Sequence, residues 1–269
     1  MEYYKFAYET ENYSNAYKEV RKEILTKWLL LIVLAVVALC VLFVKFLGYA
    51  GKINKKAQLK VGRKSLKEEM LYTFHLIFHP FDGFWDLKKE KRGSLRAALV
   101  FLAITVLTFF YQAIGQGYLF NSTGTYSTIL AQLVSVCVPL LLFVISNWCL
   151  TTLFEGEGSL KDIFIATCYS LVPLPLLIIP ATIASNMVNI NEQDIVTLLV
   201  ALGFVWAGFL IFFGTMVTHD YSLGKNVIMI VCSIVGMAFI MFVALLFTTL
   251  LGKIVGFVTN IITEIAYRM

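Results

Sequence analysis

The chain has 269 residues, of which 59% are hydrophobic and 14% are charged, and its formal net charge is +5. The mean hydropathy of +0.80 is well above that of a soluble globular domain, which excludes an ordinary soluble enzyme or binding domain. None of the five cysteines belongs to a CxxC pair, so the sequence gives no sign of a cysteine-based metal module.

Long apolar segments dominate the sequence. Residues 97–251 contain only eight Asp, Glu, Lys or Arg residues, confined to two short loops and one turn. Because a span of about 20 apolar residues matches the hydrocarbon core of a bilayer, we expect an all-α, polytopic helical membrane protein. The spans hold no formal charge, which disfavours ion-coupled transport. Six spans are predicted, at residues 28–49, 97–118, 127–146, 163–185, 195–218 and 227–251.

The first span follows 27 residues of mixed polarity and is too long for the apolar region of a signal peptide. It also lacks a small-residue cleavage site, so we expect it to be retained. Ser14 is a candidate N-cap for a helix that continues into this span. Residues 1–27 are then a separate N-terminal segment.

Basic residues predict the orientation of the chain. Twelve Lys or Arg residues lie between positions 52 and 96, and the positive-inside rule places the segment 50–96 in the cytoplasm. Counting spans then places residues 1–27 and the tail 252–269 outside, in a multi-pass protein of the cell membrane. A basic segment next to a span attracts anionic lipid head groups, so membrane lipids are expected partners and nucleic acid is not.

The basic segment contains one amphipathic pattern, after a polar basic linker at 50–64. Five apolar side chains repeat at helical spacing and predict a helix lying in the membrane interface. This helix ends at His79, because the residue before Pro80 avoids the helical region. The apolar face consists of Leu66, Met70, Phe74, Ile77 and Phe78.

Polar residues inside two spans allow alternative interpretations. The second span carries a stripe at spacings of three and four, which suits hydrogen bonding between helices or, as the alternative, a polar path for a solute. This stripe consists of Thr105, Thr108, Gln112 and Gln116. In the fourth span, three prolines (Pro173, Pro175 and Pro180) predict a kinked helix inside the bundle.

Catalytic and metal-binding patterns are weak. His75 and His79 have the spacing of two metal ligands, but no third ligand is selected, so a structural role is favoured. The FEGEGSLKD stretch at residues 154–162 lacks the lysine of a phosphate loop and predicts a tight turn. Nucleophile-elbow, P-loop and metalloprotease motifs do not occur. We therefore assign no catalytic residue, cofactor or metal.

Two stretches carry a resemblance to a known family. HPFDGFWDLKKEKRGSLRAAL at 79–99 and NWCLTTLFEGEGSLKDIFIATCYSLVPL at 147–174 resemble the bacterial branch of the Yip1 family. Within the second stretch, CYSLVP is similar to a Gly-Tyr-x-Leu-x-Pro element in which Cys168 replaces the glycine. The motif residues are His79, Pro80, Phe84, Trp85, Tyr169 and Pro173.

The resemblance implies a five-span Yip1-like core, here preceded by one further transmembrane helix, and a role without catalysis. It implies an accessory subunit or scaffold that joins other membrane proteins, with an ABC-type transport system as the expected partner. Residues 1–27 could then dock to a separate extracytoplasmic protein. The alternative is a stand-alone transporter or channel for a neutral solute, and a lipid-handling protein is the third hypothesis. Candidate partner or lipid contacts are Lys88, Lys89, Lys91 and Arg92.

Overall fold

The computed structural model describes residues 1–58 and 65–268, and every regular element among them is a helix. Lys60, Arg63 and Lys64 of the predicted basic segment lie outside the described residues. Six helical segments are long and apolar enough to cross a membrane, which confirms the predicted fold class. The helices are α1 (Glu2–Phe6), α2 (Thr10–Gln58), α3 (Leu66–Leu71), α4 (Thr73–Phe78), α5 (Pro80–Lys89), α6 (Leu95–Gly115), α7 (Ile129–Leu150), α8 (Leu160–Ser170), α9 (Pro173–Ser185), α10 (Gln193–His219) and α11 (Leu223–Arg268).

Helix α2 is one continuous helix of 49 residues and contains the first predicted span. At 1.5 Å per residue it is about 74 Å long. Ser14 is not its N-cap, because the helix begins at Thr10 and the Ser14 hydroxyl instead accepts a hydrogen bond from the Ile190 amide at 2.9 Å. Residues 22–46 are all exposed, so α2 is held to the rest of the protein near its two ends.

The predicted amphipathic helix is divided into α3 and α4 at Tyr72. Helix α4 ends at Phe78, and Pro80 is the first residue of α5, which confirms the predicted stop. The face that packs against the core shares Ile77 with the predicted apolar face but also includes Glu69, Tyr72 and Leu76, which are buried, whereas Phe78 is exposed. Helix α5 itself had not been predicted. These three short helices therefore form a structural layer of the protein.

The core consists of α6, α7, α8, α9, α10 and the first half of α11. The fourth predicted span breaks between Ser170 and Pro173 into α8 and α9. Pro173 is the first residue of α9, where a backbone donor has no partner within the helix, so the proline fits at this position without loss. Most of this span is buried, which confirms that it is kinked and internal.

Helix α11 continues for 46 residues, well past the predicted end of the sixth span at position 251. Its first half packs against α7, where Gly236 lies close to Ser146. Residues 252–268 of the predicted tail continue the same helix and are exposed. No proline or cluster of turn residues interrupts this stretch, which explains why the helix does not stop at the end of the span.

Contacts between segments define two ends of the bundle. Tyr17 donates a hydrogen bond to the Asn186 carbonyl at 3.1 Å, and Arg21 forms a bidentate ion pair with Glu192, so the N-terminal segment lies beside the α9–α10 loop. Helices α3 to α5, the α7–α8 loop and the α10–α11 turn meet at the opposite end. The loops that meet at each end are those that the predicted order of the six spans places on the same side. The orientation of either end relative to the cytoplasm stays a prediction.

Candidate functional site at the α3–α5 end of the bundle

A buried ionic cluster fixes the connection between α5 and α6. The Tyr72 hydroxyl donates a hydrogen bond to Asp86 Oδ2 at 2.8 Å, and Arg92 Nη1 lies 3.4 Å from the same oxygen. Arg92 Nε donates to Glu90 Oε2 at 2.7 Å, and the guanidinium lies 5.0 Å from the centre of the Tyr72 ring. Burial and the hydrogen bond to Asp86 raise the pKa of Tyr72, so its hydroxyl remains a donor.

A second buried acid links three helices. Glu69 is 5% exposed, and its carboxylate accepts a hydrogen bond from the hydroxyl of Ser94. The Ser94 hydroxyl in turn accepts a hydrogen bond from the Ala97 amide at 3.2 Å and so caps α6. The Tyr169 hydroxyl of α8 donates to the Glu69 backbone carbonyl at 3.4 Å. Glu69 therefore joins α3 to the start of α6, a role that its sequence position did not reveal.

A neutral hydrogen-bond network surrounds His219 at the end of α10. His219 Nε2 lies 2.8 Å from Asn147 Oδ1, and the Gly158 amide donates to His219 Nδ1 at 3.3 Å. The two partners select the tautomer that carries its proton on Nε2. Asn147 Nδ2 then donates to Ser233 Oγ at 3.2 Å, and the ring of Tyr221 stacks on His219 at 5.0 Å. This network joins α7, α10 and α11.

Two glycines of the FEGEGSLKD stretch cover this network. A Cβ atom at Gly156 would lie 2.3 Å from the Tyr221 hydroxyl and 2.5 Å from His219 Nδ1. A Cβ atom at Gly158 would lie 2.8 Å from His219 Cε1. The loop thus passes directly over the imidazole ring. His219 is 1% exposed, so it acts as a buried structural residue and is not accessible to a substrate.

Of the four basic residues expected to contact partners, Lys88, Lys89 and Lys91 line one cavity at this end of the bundle, and Arg92 does not. Lys88 Nζ lies 2.9 Å and Lys89 Nζ 3.8 Å from Glu157 Oε2, and both Lys89 and Lys91 are exposed. The hydrogen bond from Lys88 and the charges of Lys88 and Lys89 lower the pKa of Glu157. Arg92 corrects the expectation, because its side chain is 6% exposed and is held by Asp86 and Glu90 within the protein. Only a ligand that enters the protein could reach it.

The family-like motif residues occupy structural positions at the same end of the bundle or in the core. His79 joins α4 to α5, with φ −130° and ψ 71°, and Pro80 begins α5. Phe84 is 1% exposed, and the ring carbons of Phe84 would lie 3.0 Å from a Cβ atom at Gly214. The remaining motif residues are Tyr169, which packs on Phe101 at 4.9 Å, Pro173 at the start of α9, and Trp85, which is exposed.

The polar stripe of the second span is shorter than expected. Helix α6 ends at Gly115, so Gln116 takes an extended conformation and does not continue the helical face. The hydroxyls of Thr105 and Thr108 donate to carbonyls of their own helix, at 2.9 and 2.8 Å. Gln112 is half-buried. Thr105 does line a cavity of about 430 Å³ between α6, α7, α8 and α10, but most of the cavity wall is apolar.

The rings of His75 and His79 stack at 4.8 Å. Burial, followed by the charge of His79, lowers the pKa of His75, which favours neutral imidazole. Across residues 1–58 and 65–268, no group of three His, Cys, Asp or Glu side chains is arranged to hold a metal ion. The histidine pair therefore has a packing role in the described structure.

Comparison with known proteins gives one match. The family model of the Yip1 domain matches residues 74–246, which is more than half of the chain. The matched part begins in α4 and ends within α11, so it includes the α3–α5 end of the bundle from Phe74 onward and leaves out α2. No curated protein and no solved structure matches the chain.

Proposed function

Since this chain belongs to the Yip1 domain family, we propose that it is a membrane scaffold without catalytic activity, an accessory subunit that assembles with other membrane proteins. The partner we propose is a transport component, such as the membrane subunit of an ABC-type system. The family match supports the scaffold role. The proposal also has support from an exposed helical surface that lies outside the matched region.

That surface is the end of α11, at residues 252–268. The apolar side chains Ile254, Val258, Ile261 and Ile265 repeat at spacings of four, three and four, and each is between 42% and 51% exposed. Such spacing places them on one helical face. Because the predicted sixth span ends at position 251, this face continues beyond the hydrocarbon core. An apolar face exposed beyond the bilayer is typical of a protein contact site.

Two glycines on the opposite side of α11, about half a turn around the helix axis from this apolar face, allow a second helix to approach closely. A Cβ atom added at Gly252 or at Gly256 would meet nothing within 4 Å. Glycines four residues apart let the backbones of two membrane helices come into contact. The proposed occupant is therefore a helix of another membrane protein that packs against the glycine side of α11. Residues 22–46 of α2 are also exposed, but lipid tails can cover an apolar span, so the exposure of α2 does not indicate a protein partner.

The test combines co-purification with glycine substitutions. We would tag the full chain, purify it from its native membranes in mild detergent and identify stoichiometric partners by mass spectrometry. The double variant Gly252→Leu/Gly256→Leu should lose the partner, because leucine side chains hold the two helices apart. Gly208→Leu is the matched control, because Gly208 is an exposed helical glycine with open space around its Cα.

Retention of the partner by the double variant would contradict a contact on the glycine side of α11. Purification of the wild-type chain alone would contradict the scaffold role itself. In that case, flux of a neutral solute through the protein reconstituted without partners would favour the stand-alone transporter. An accessory subunit should co-purify with a transporter subunit as the wild type and as Gly208→Leu. The double variant should lose this transporter subunit.

A further inference from the structure

A mixed polar and apolar cavity lies between α2 and the α3–α5 layer. Its volume is about 420 Å³, within the range of small-molecule sites. Leu47, Gly51 and Asn54 line it from α2, and Phe78 lines it from α4. Arg92 closes the cavity from the α5–α6 connection. Nothing in the scaffold proposal uses this cavity.

Two residues that line the cavity each have a buried side-chain atom without a hydrogen-bond partner in the part of the chain that the structure describes. Arg92 Nη2 is a donor without an acceptor, although Nε and Nη1 of the same side chain face Glu90 and Asp86. Asn54 Oδ1 is an acceptor without a donor, and the orientation of the amide is fixed because Nδ2 donates to the Leu71 carbonyl at 3.3 Å. A buried polar group without a partner destabilises the folded protein. A ligand that fits must therefore offer both an acceptor and a donor.

The charges at the cavity favour a ligand that carries both signs. Arg92 and Lys55 contribute two positive charges, whereas Asp86 lines the cavity and Glu90 binds the back of the guanidinium. With Glu90 included, which does not line the cavity, the cationic and anionic side chains are equal in number. Phosphate oxygens match the donor geometry of arginine. An ammonium group has N–H donors for the Asn54 oxygen and a charge that complements Asp86.

The position of the cavity indicates where such a ligand comes from. The apolar stretch of α2 predicted as the first span ends at position 49, and the α2 residues that line the cavity run from Leu47 to Lys55. The cavity therefore crosses the boundary between hydrocarbon and water, the level at which lipid phosphates lie. Its apolar wall includes Phe74 and Phe78, which suit the glycerol and upper acyl region of a lipid.

We propose that this cavity binds the head group of a zwitterionic phospholipid with a primary ammonium, of the phosphatidylethanolamine type. The phosphate accepts hydrogen bonds from Arg92 Nη2 and Lys55, and the ammonium donates to Asn54 Oδ1 beside Asp86. A choline head group has the same charge but no N–H donor, so it cannot satisfy Asn54. This difference gives the proposal a sharp test.

The experiment measures lipid binding to the delipidated full chain by native mass spectrometry. Phosphatidylethanolamine, phosphatidylcholine and phosphatidylglycerol with identical acyl chains are the probes. We expect phosphatidylethanolamine to bind about tenfold more tightly than phosphatidylcholine, the factor that one satisfied buried group of about 1.4 kcal/mol provides. Equal binding of these two lipids, or tighter binding of phosphatidylglycerol, would overturn the proposal.

Variants locate the site. Asn54→Leu should abolish the preference for ethanolamine over choline. Lys55→Met, at an exposed position that spares the fold, should weaken both lipids several-fold because it removes a phosphate contact. Asn191→Leu, at an exposed asparagine of the opposite end, is the matched control and should leave the preference intact. An unchanged preference in Asn54→Leu, with unchanged binding in Lys55→Met, would place the lipid elsewhere and refute the assignment.

A soluble competitor separates the lipid from a free phosphoester. Water-soluble glycerophosphoethanolamine presents the same head group without acyl chains. We expect it to displace the lipid only in large excess, because the apolar wall formed by Phe74 and Phe78 then has no ligand surface to cover. Displacement at equal concentration would show that the cavity takes a soluble phosphoester and would overturn the lipid assignment.

Discussion

The hydrogen-bond network around His219 allows a quantitative prediction of how strongly it couples α7, α10 and α11. Asn147→Leu keeps the volume of the side chain but removes both of its hydrogen bonds. The His219 Nε2 proton, which lies 2.8 Å from Asn147 Oδ1, would then be buried without an acceptor. Ser233 loses a donor but keeps its own bond to the Met229 carbonyl at 2.8 Å. One orphaned donor costs about 1–3 kcal/mol, so we expect the free energy of unfolding to fall by about 2 kcal/mol.

A double-mutant cycle separates this interaction from general effects of the substitution. His219→Phe keeps an aromatic ring to stack on Tyr221 and removes the Nε2 proton, so Asn147→Leu should cost at least about 1 kcal/mol less in that background. Unfolding in mixed micelles of rising SDS content gives the four free energies. Asn260→Leu, on the exposed end of α11, is the control for the substitution itself. Additive effects within about 0.5 kcal/mol would refute the network.

Two further predictions concern the α3–α5 layer. A Cβ atom at Gly83 would lie 2.7 Å from the Leu76 Cα, so Gly83→Ala should lower the free energy of unfolding by about 1–3 kcal/mol. The control Gly208→Ala, in open space, should be stabilising or neutral. Equal effects of the two substitutions on the unfolding midpoint would contradict the close crossing of α4 and α5. The lowered pKa of His75 means that the folded state binds fewer protons than the unfolded state below about pH 6.5. The free energy of unfolding should therefore fall as the pH drops through that value, and His75→Gln should reduce this pH dependence. A free energy of unfolding that rises on acidification would contradict the burial of His75.

The sequence predicted the apolar architecture well, because a bilayer imposes length and polarity rules that act on local composition. The six spans agree with the helical segments, the prolines broke the fourth span into α8 and α9, and the stop at His79 and Pro80 was confirmed. The errors occur where a helix ends or continues for reasons outside the bilayer. Gln116 does not belong to the polar stripe, because α6 ends one residue earlier. Helix α11 continues past position 251, where the sixth span was predicted to end.

The polar residues that organise the α3–α5 end were not predictable, because each partner lies far away in sequence. Glu69 was expected outside the apolar face, yet it binds Ser94, 25 positions later. Arg92 was expected on the surface as part of a basic cluster, yet Tyr72, Asp86 and Glu90 hold it within the protein. A charge pattern reports how many basic residues face one side of a membrane, and it does not report which of them turns inward.

The inward position of Arg92 connects the fold to the proposed lipid site. A buried guanidinium is stable only when its donors have acceptors. Two carboxylates satisfy Nε and Nη1 of Arg92, but Nη2 has no acceptor in the described residues, and Arg92 lines the cavity. If a lipid phosphate completes the coordination, lipid binding should stabilise the contact between α2 and the α3–α5 layer, because a ligand that binds only the folded state raises its free energy of unfolding. Since α2 lies outside the matched family domain, the lipid would then join this additional span to the domain that it precedes.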